Sequence, residues 1–210
     1  FEIDNLDHDI DRIPEQVKVL LLVHPKGLSE AALFAIDQFV LGGGKLLAFV
    51  DPFAEMDFSQ EAMMDAMADG KASDLGPLLA AWGVDYDPEK VVLDARLGMS
   101  VGRGQGQLPA RHIGWLELLP AHLDREDTVT APLSLLTVAS AGALQPREGS
   151  QTRFLPLLSS TVDSMLVPSS RLAALRDPEQ LLNGFKADAQ QYHFAARLQG
   201  PAATAYPEGL

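Results

Sequence analysis

Two near-continuous apolar runs, VKVLLLV at 17–23 and KLLAFVD at 45–51, bracket a segment whose apolar residues recur at three- and four-residue steps. In that segment Ala32, Leu33, Ile36, Phe39 and Val40 form one stripe of a predicted helix. Ser29 stands as its N-cap, and Glu30 suits the positive end of the helix dipole. Gly42-Gly43-Gly44 ends the helix, because glycine accepts the left-handed conformation that closes many helices. The pattern predicts a βαβ unit whose strands are parallel and covered on both faces, since neither run alternates. Its crossover is expected to be right-handed. Its functional loops are expected at the carboxyl ends of the strands, at His24-Pro25-Lys26 and Asp51-Pro52-Phe53. The triple glycine is not a phosphate loop, because it follows a helix and precedes a strand.

Around this unit the signals are shorter. Phe1–Gln16 mixes acids with Ile3, Leu6, Ile10 and Ile13 and reads as a solvated lead-in that Pro14 separates from the first strand. Asp51-Pro52 reads as a turn starter. Between 54 and 71, Met56, Met63, Met64 and Met67 read as a loose loop or short helix, the alternative being an adaptable binding surface. Ser73 is the expected N-cap for a helix carrying Leu75, Leu78, Leu79 and Trp82, with Pro77 in its first turn and Gly83 as its stop. A turn at Asp87-Pro88 then leads to a strand at 91–94, expected to be the third of the sheet.

Leu97–Pro109, with four glycines, reads as a flexible loop. Extended segments are expected at 111–119, 153–158 and 192–198, a strand or short helix within 128–139, and a short helix or loop within 169–183. The second half therefore has more β character than the first.

Composition narrows the class. The 210 residues suit a single domain spanning 1–210, and 47% hydrophobic with 21% charged residues is an ordinary globular balance. A formal net charge of −13, with the cations scattered, argues against a nucleic-acid partner. The absence of cysteine excludes disulfides, thiolate metal sites and a cysteine nucleophile. No run is long enough for a membrane span. The start at Phe1 reads as a trimmed chain, with a signal, anchor or membrane helix expected beyond an end.

The candidate chemistry is sparse. The five histidines show no metal-binding spacing, and no GxSxG elbow marks a hydrolase serine. No cofactor is expected. The candidate ligand- or partner-binding residues are His24, Lys26, Asp51 and Phe53 at the strand ends, Arg96, and Ser159 with Ser160 in the one hydroxyl cluster beside an apolar strand. Arg96, Arg103 and Arg111, flanking the glycine-rich loop, make the best local case for an anion site.

The order of IPEQVKVLLLVHPKGLSEAALFAIDQFVLGGGKLLAFVDP, LGPLLAAWGVDYDPEKVVLDA, FLPLLSS and HFAARLQGPAATAYPEG resembles the extracytoplasmic auxiliary proteins of ABC transporters. These are the gliding-motility GldG-like group, related by domain to intraflagellar transport proteins. The resemblance implies an α/β fold with a mostly parallel sheet, similar to flavodoxin-like proteins and class I glutamine amidotransferases. It also implies a periplasmic or other extracytoplasmic location with anchorage to the inner membrane. The implied partners are permease and ATPase subunits or associated membrane proteins, with a saccharide or peptide as a further ligand class. The amidotransferase-type nucleophile does not carry over, because the chain has no cysteine. The leading expectation is a non-catalytic binding or scaffolding domain. The alternatives are a hydrolase using Asp51 with His24 or Lys26, and a structural oligomerisation domain.

Overall fold

The computed structural model describes residues 3–7, 9–60, 62, 69–104 and 106–210. Met63, Met64 and Met67 of the methionine-rich segment lie outside the described residues. The βαβ unit forms where the periodicity places it. Strand β1 (Val19–Val23), helix α1 (Glu30–Leu41) and strand β2 (Lys45–Phe49) succeed one another, and the strands pair in parallel from Val19 with Lys45 to Val23 with Phe49. Ser29 caps α1 by accepting the Ala32 N–H at 3.1 Å. The glycine stop closes the other end: Gly42 and Gly44 N–H donate to Gln38 and Phe39 carbonyls, both at 2.9 Å, and Gly43 takes φ 91°. Leu20 and Leu22 of β1 and Leu46 and Ala48 of β2 pack against Ile36, Leu33 and Phe39 of α1, with Leu75, Leu78 and Trp82 completing the cluster.

Beyond β2 the architecture departs from the flavodoxin-like or amidotransferase-like parallel sheet. The parallel pairing stops at two strands, and the remaining sheets are antiparallel. Helix α2 (Pro77–Ala81) leads to β3 (Val84–Tyr86) and, after the turn at 87–89, to β4 (Lys90–Asp94). Strand β4 does not join β1 and β2. It pairs antiparallel with β10 (Ser164–Pro168), matching Leu93 with Met165 and Val91 with Val167. The continuous apolar run VVLD reports burial on both faces, which any middle layer provides, and not parallel pairing: Val91, Val92 and Leu93 are fully buried.

Strands β5 (Gly98–Val101), β6 (Ala110–Leu118) and β7 (Leu136–Ala139) form one antiparallel sheet, so the stretch read as a flexible glycine-rich loop begins as a strand. Gly98 permits this: a Cβ there would meet the Ile113 backbone at 3.0 Å. Strands β8 (Leu144–Pro146), β9 (Arg153–Ser159) and β11 (His193–Gln199) join β3 in the order β3-β8-β11-β9. Helix α3 (Ser170–Ala173) and a 3₁₀ turn at Pro178–Leu182 fill 169–183. Ser73 does not cap α2, whose N-cap is Gly76. Its hydroxyl instead accepts the Asp51 N–H at 3.0 Å, which ties the end of β2 to the segment before α2.

Two buried aspartates fix the frame. Asp94, at the end of β4, accepts Arg96 N–H (2.8 Å), Leu97 N–H (3.0 Å), Thr161 N–H (2.6 Å) and the Thr161 hydroxyl (3.1 Å). Asp37, on α1, accepts Trp82 Nε1–H at 3.0 Å and the Thr204 hydroxyl at 2.6 Å, so the C-terminal tail is tied to the first helix. Both are fully buried, and the donors around each offset its desolvation.

Candidate binding platform at the strand ends

The carboxyl ends of β1 and β2 face one seven-residue loop, Asp51-Pro52-Phe53-Ala54-Glu55-Met56-Asp57, whose three acids each reach a different part of the molecule. Asp51 Oδ1 accepts Phe53 N–H at 3.1 Å, closing the turn expected of Asp-Pro. Burial pushes its carboxyl up to about 6; the Phe53 N–H opposes the rise, and the charge of Glu55 adds to it. Glu55 Oε1 accepts Trp115 Nε1–H at 3.0 Å and the Ser140 hydroxyl at 2.6 Å, linking the loop to β6 and to the residue after β7. Asp57 turns back to β1. Its Oδ2 accepts Lys26 Nζ at 2.8 Å and lies 3.2 Å from His24 Nε2, while its Oδ1 accepts Ser59 N–H at 2.9 Å. Lys26 first, then the Ser59 and His24 contacts, hold this carboxyl well below the usual carboxylate range.

The side of the loop nearest β1 is therefore rigidly presented. Lys26 also donates to the Gly70 carbonyl at 2.8 Å, and Lys71 Nζ sits 5.0 Å from the Phe53 ring centroid and 5.9 Å from that of Phe58. His24 adopts φ 50°, in the left-handed region, and its N–H donates to the Phe49 carbonyl at 2.9 Å. That conformation costs on the order of 1 kcal/mol or more for a non-glycine residue. It directs the imidazole toward Asp57 and away from the strand axis. Met56 and Phe58, flanking the anchored Asp57, are 80% and 68% exposed. The exposed apolar pair thus flanks a carboxylate held at its base by Lys26 and His24.

Of the sequence-predicted residues, the structure brings His24 and Lys26 together, on Asp57. It does not bring either to a hydrogen bond with Asp51, whose carboxylate serves its own turn. Phe53 is buried, in the cluster with Val91, Leu93, Ile113 and Val167, and not on a binding surface. The three arginines bond elsewhere: Arg96 to Asp163, Arg103 Nη2 to Asp177 at 2.6 Å and Glu179 at 2.7 Å, and Arg111 Nη2 to the Arg96 carbonyl at 2.8 Å. Ser160 is fully buried, bonding the Thr161 carbonyl (2.9 Å) and accepting Tyr192 N–H (2.8 Å). Ser159 Oγ lies 2.9 Å from His193 Nδ1, and burial lowers the pKa of that imidazole. Among the described residues, no group of three or more His, Asp or Glu side chains converges as a metal shell would.

Glu55, Asp57 and Phe58 are the platform residues that sequence reasoning missed, whereas Met56 falls within the methionine-rich segment, with an adaptable binding surface as the less favoured reading. Their signal is the alternation of acidic and apolar residues in EMDF directly after a strand end, which separates anchoring side chains from presented ones.

The strand ends thus carry a Lys26–Asp57–His24 cluster beside the exposed Met56 and Phe58, and Asp51 is not joined to it by a hydrogen bond. The family model described as "ABC-type uncharacterized transport system" matches residues 1–210, and the chain belongs to that family, an auxiliary component of ABC transport. Neither the curated proteins nor the solved structures contain a match.

Proposed function

We propose that this chain is a non-catalytic scaffolding domain of the gliding-motility auxiliary type. It stands on the extracytoplasmic side of the inner membrane and contacts a permease subunit, or a membrane protein bound to one, through the 54–59 loop. The observation that carries the reading is the pair Met56 and Phe58, exposed on a loop whose base is clamped by Asp57, Lys26 and His24. The whole-length family match supplies the transport context. The positions offered for catalysis support this reading over a hydrolase, because His24 and Lys26 are engaged by Asp57 and not by Asp51.

Co-purification of the full-length protein from gently solubilised membranes tests the reading. Permease and ATPase subunits are expected with the wild type, and recovery is expected to fall about tenfold with Met56→Asp/Phe58→Asp, a loss typical of two interface anchors. Recovery of no transporter subunit with the wild type overturns the scaffolding role. Equal recovery with the variant overturns the loop assignment.

A further inference from the structure

The 54–59 loop does not stand alone. Ala54 N–H donates to the Lys71 carbonyl at 2.9 Å, Ser73 N–H donates to the Asp51 carbonyl at 2.8 Å, and Lys26 Nζ donates to the Gly70 carbonyl at 2.8 Å. The 3₁₀ turn Asp69–Lys71 is thereby fixed alongside the loop. Its last residue sets an ammonium group against the aromatic side chains of the platform. Lys71 Nζ lies 5.0 Å from the centroid of the buried Phe53 ring and 5.9 Å from that of the exposed Phe58 ring. Attraction to the ring quadrupoles holds the cation in place without removing its charge.

That charge is left unneutralised although two loop acids are bonded close by. Glu55 is turned to Trp115 and Ser140, and Asp57 is taken by Lys26 and His24. Among the described residues, no carboxylate lies within ion-pair distance of Lys71. In a chain of net charge −13, a half-buried lysine beside an exposed apolar pair thus keeps its charge for something outside the chain. We propose that Lys71 is the polar anchor of the platform and receives an Asp or Glu carboxylate of the transporter subunit, while Met56 and Phe58 meet the apolar residues beside that acid. Resting on the scaffolding role above, this names the chemistry of the partner: a protein segment in which one carboxylate stands among apolar side chains.

Charge complementarity decides the occupant. A wholly apolar segment laid on Phe58 would strip water from the ammonium and give nothing in return. A basic segment would set like charges together. A carboxylate forms a charge-assisted hydrogen bond with Lys71, and the bond strengthens as the apolar contacts exclude water. An anionic lipid headgroup offers the same charge, but the −13 of the chain is repelled by an anionic membrane surface.

The test uses the full-length protein in its native membrane. A carbodiimide activates carboxylates; where one sits against Lys71, Nζ attacks its acyl carbon, an amide forms, and the carbodiimide leaves as a urea. The expected product, mapped by mass spectrometry, joins Lys71 to an Asp or Glu of a transporter subunit and is missing from Lys71→Arg, whose guanidinium does not form the amide. Co-purification after gentle solubilisation gives a second readout. At about 50 mM salt, Lys71→Gln is expected to recover roughly tenfold less transporter than the wild type and Lys71→Arg to stay within about twofold, with the gap narrowing at about 0.5 M salt. Circular dichroism verifies the fold of both variants. Wild-type recovery from Lys71→Gln at low salt, or an amide made only within this chain, overturns the carboxylate partner; continued loss with Met56→Asp/Phe58→Asp then leaves the scaffolding role standing. Equal losses with Lys71→Gln and Lys71→Arg mark a packing role and overturn it too. So does binding of the wild type to phosphatidylglycerol vesicles that Lys71→Gln abolishes, the mark of a lipid headgroup. Recovery of no transporter subunit with the wild type overturns the scaffolding role and this inference with it.

Discussion

Asp51 is the residue at which folding and protonation are most tightly linked. Its native carboxyl titrates near 6 against an ordinary value of 3.8, so the native state binds the proton more tightly than the unfolded chain. Stability from this group is present below about pH 4 and is lost as pH rises through about 6. Asp51→Asn keeps an acceptor for Phe53 N–H and removes the buried charge. The variant is expected to match the wild type near pH 4 and to exceed it by roughly 2 kcal/mol at pH 7 in urea unfolding. A deficit at pH 7 would contradict the burial argument. Asp94 behaves oppositely under truncation. Asp94→Ala strands three backbone N–H groups beside Thr161, Arg96 and Leu97, and a loss of about 3–5 kcal/mol is expected from the same measurement. The turn made by Asp51 was legible from sequence but its burial was not, and Asp94 read only as the end of a strand. Acids are plentiful here, and burial, which separates them, depends on packing between distant segments.

At the scale of elements, the βαβ unit was legible almost to the residue because its signals are local. Helical periodicity, a serine cap and a glycine stop all act within one turn of the residues they govern. The partner of each later strand was not legible. Strands β4 and β10 lie some seventy positions apart in the chain, beyond any periodicity, and the apolar run of β4 fits a buried antiparallel strand as well as a parallel one. Ser73 shows the same limit, since it serves the end of β2 instead of the helix that follows it.

Long-range ties of this kind are testable through α1. Thr204→Val removes the hydroxyl that donates to Asp37 while keeping the side-chain shape. The tail after Gly200 is expected to become cleavable in limited proteolysis, with a stability loss of about 1–2 kcal/mol. Unchanged protection would mean that the packing of Tyr206 edge-on against Phe34, at 5.4 Å between centroids, holds the tail without the hydrogen bond.

For the whole molecule, the parallel pair, the antiparallel sheets and the 51–57 loop that joins them form one argument. Glu55 bonds the loop to the β5–β6–β7 sheet and Asp57 bonds it to the end of β1, so the platform is held from both sides. Glu55→Ala leaves Trp115 Nε1 and Ser140 Oγ without their acceptor. A shift in Trp115 fluorescence and a weaker hold on the loop are expected, while Glu55→Gln, which retains an acceptor oxygen, is expected to stay close to wild type. The candidate site was half legible: strand ends are where α/β units place function, which pointed to His24 and Lys26. Of the presented residues, Met56 stood out only as one methionine of the 54–71 segment and Phe58 not at all, because their exposure follows from how Asp57 is anchored, not from their own identity.

The central claim is that this loop meets a membrane subunit of an ABC transporter. A photo-cross-linker placed at Phe58 in the full-length protein in its native membrane is the most direct test. The account predicts an adduct with a permease subunit or a membrane protein bound to it, and none from the same cross-linker at Val162, exposed to 50% on the turn between β9 and β10. Equal adducts from both positions, or none from position 58, would contradict it.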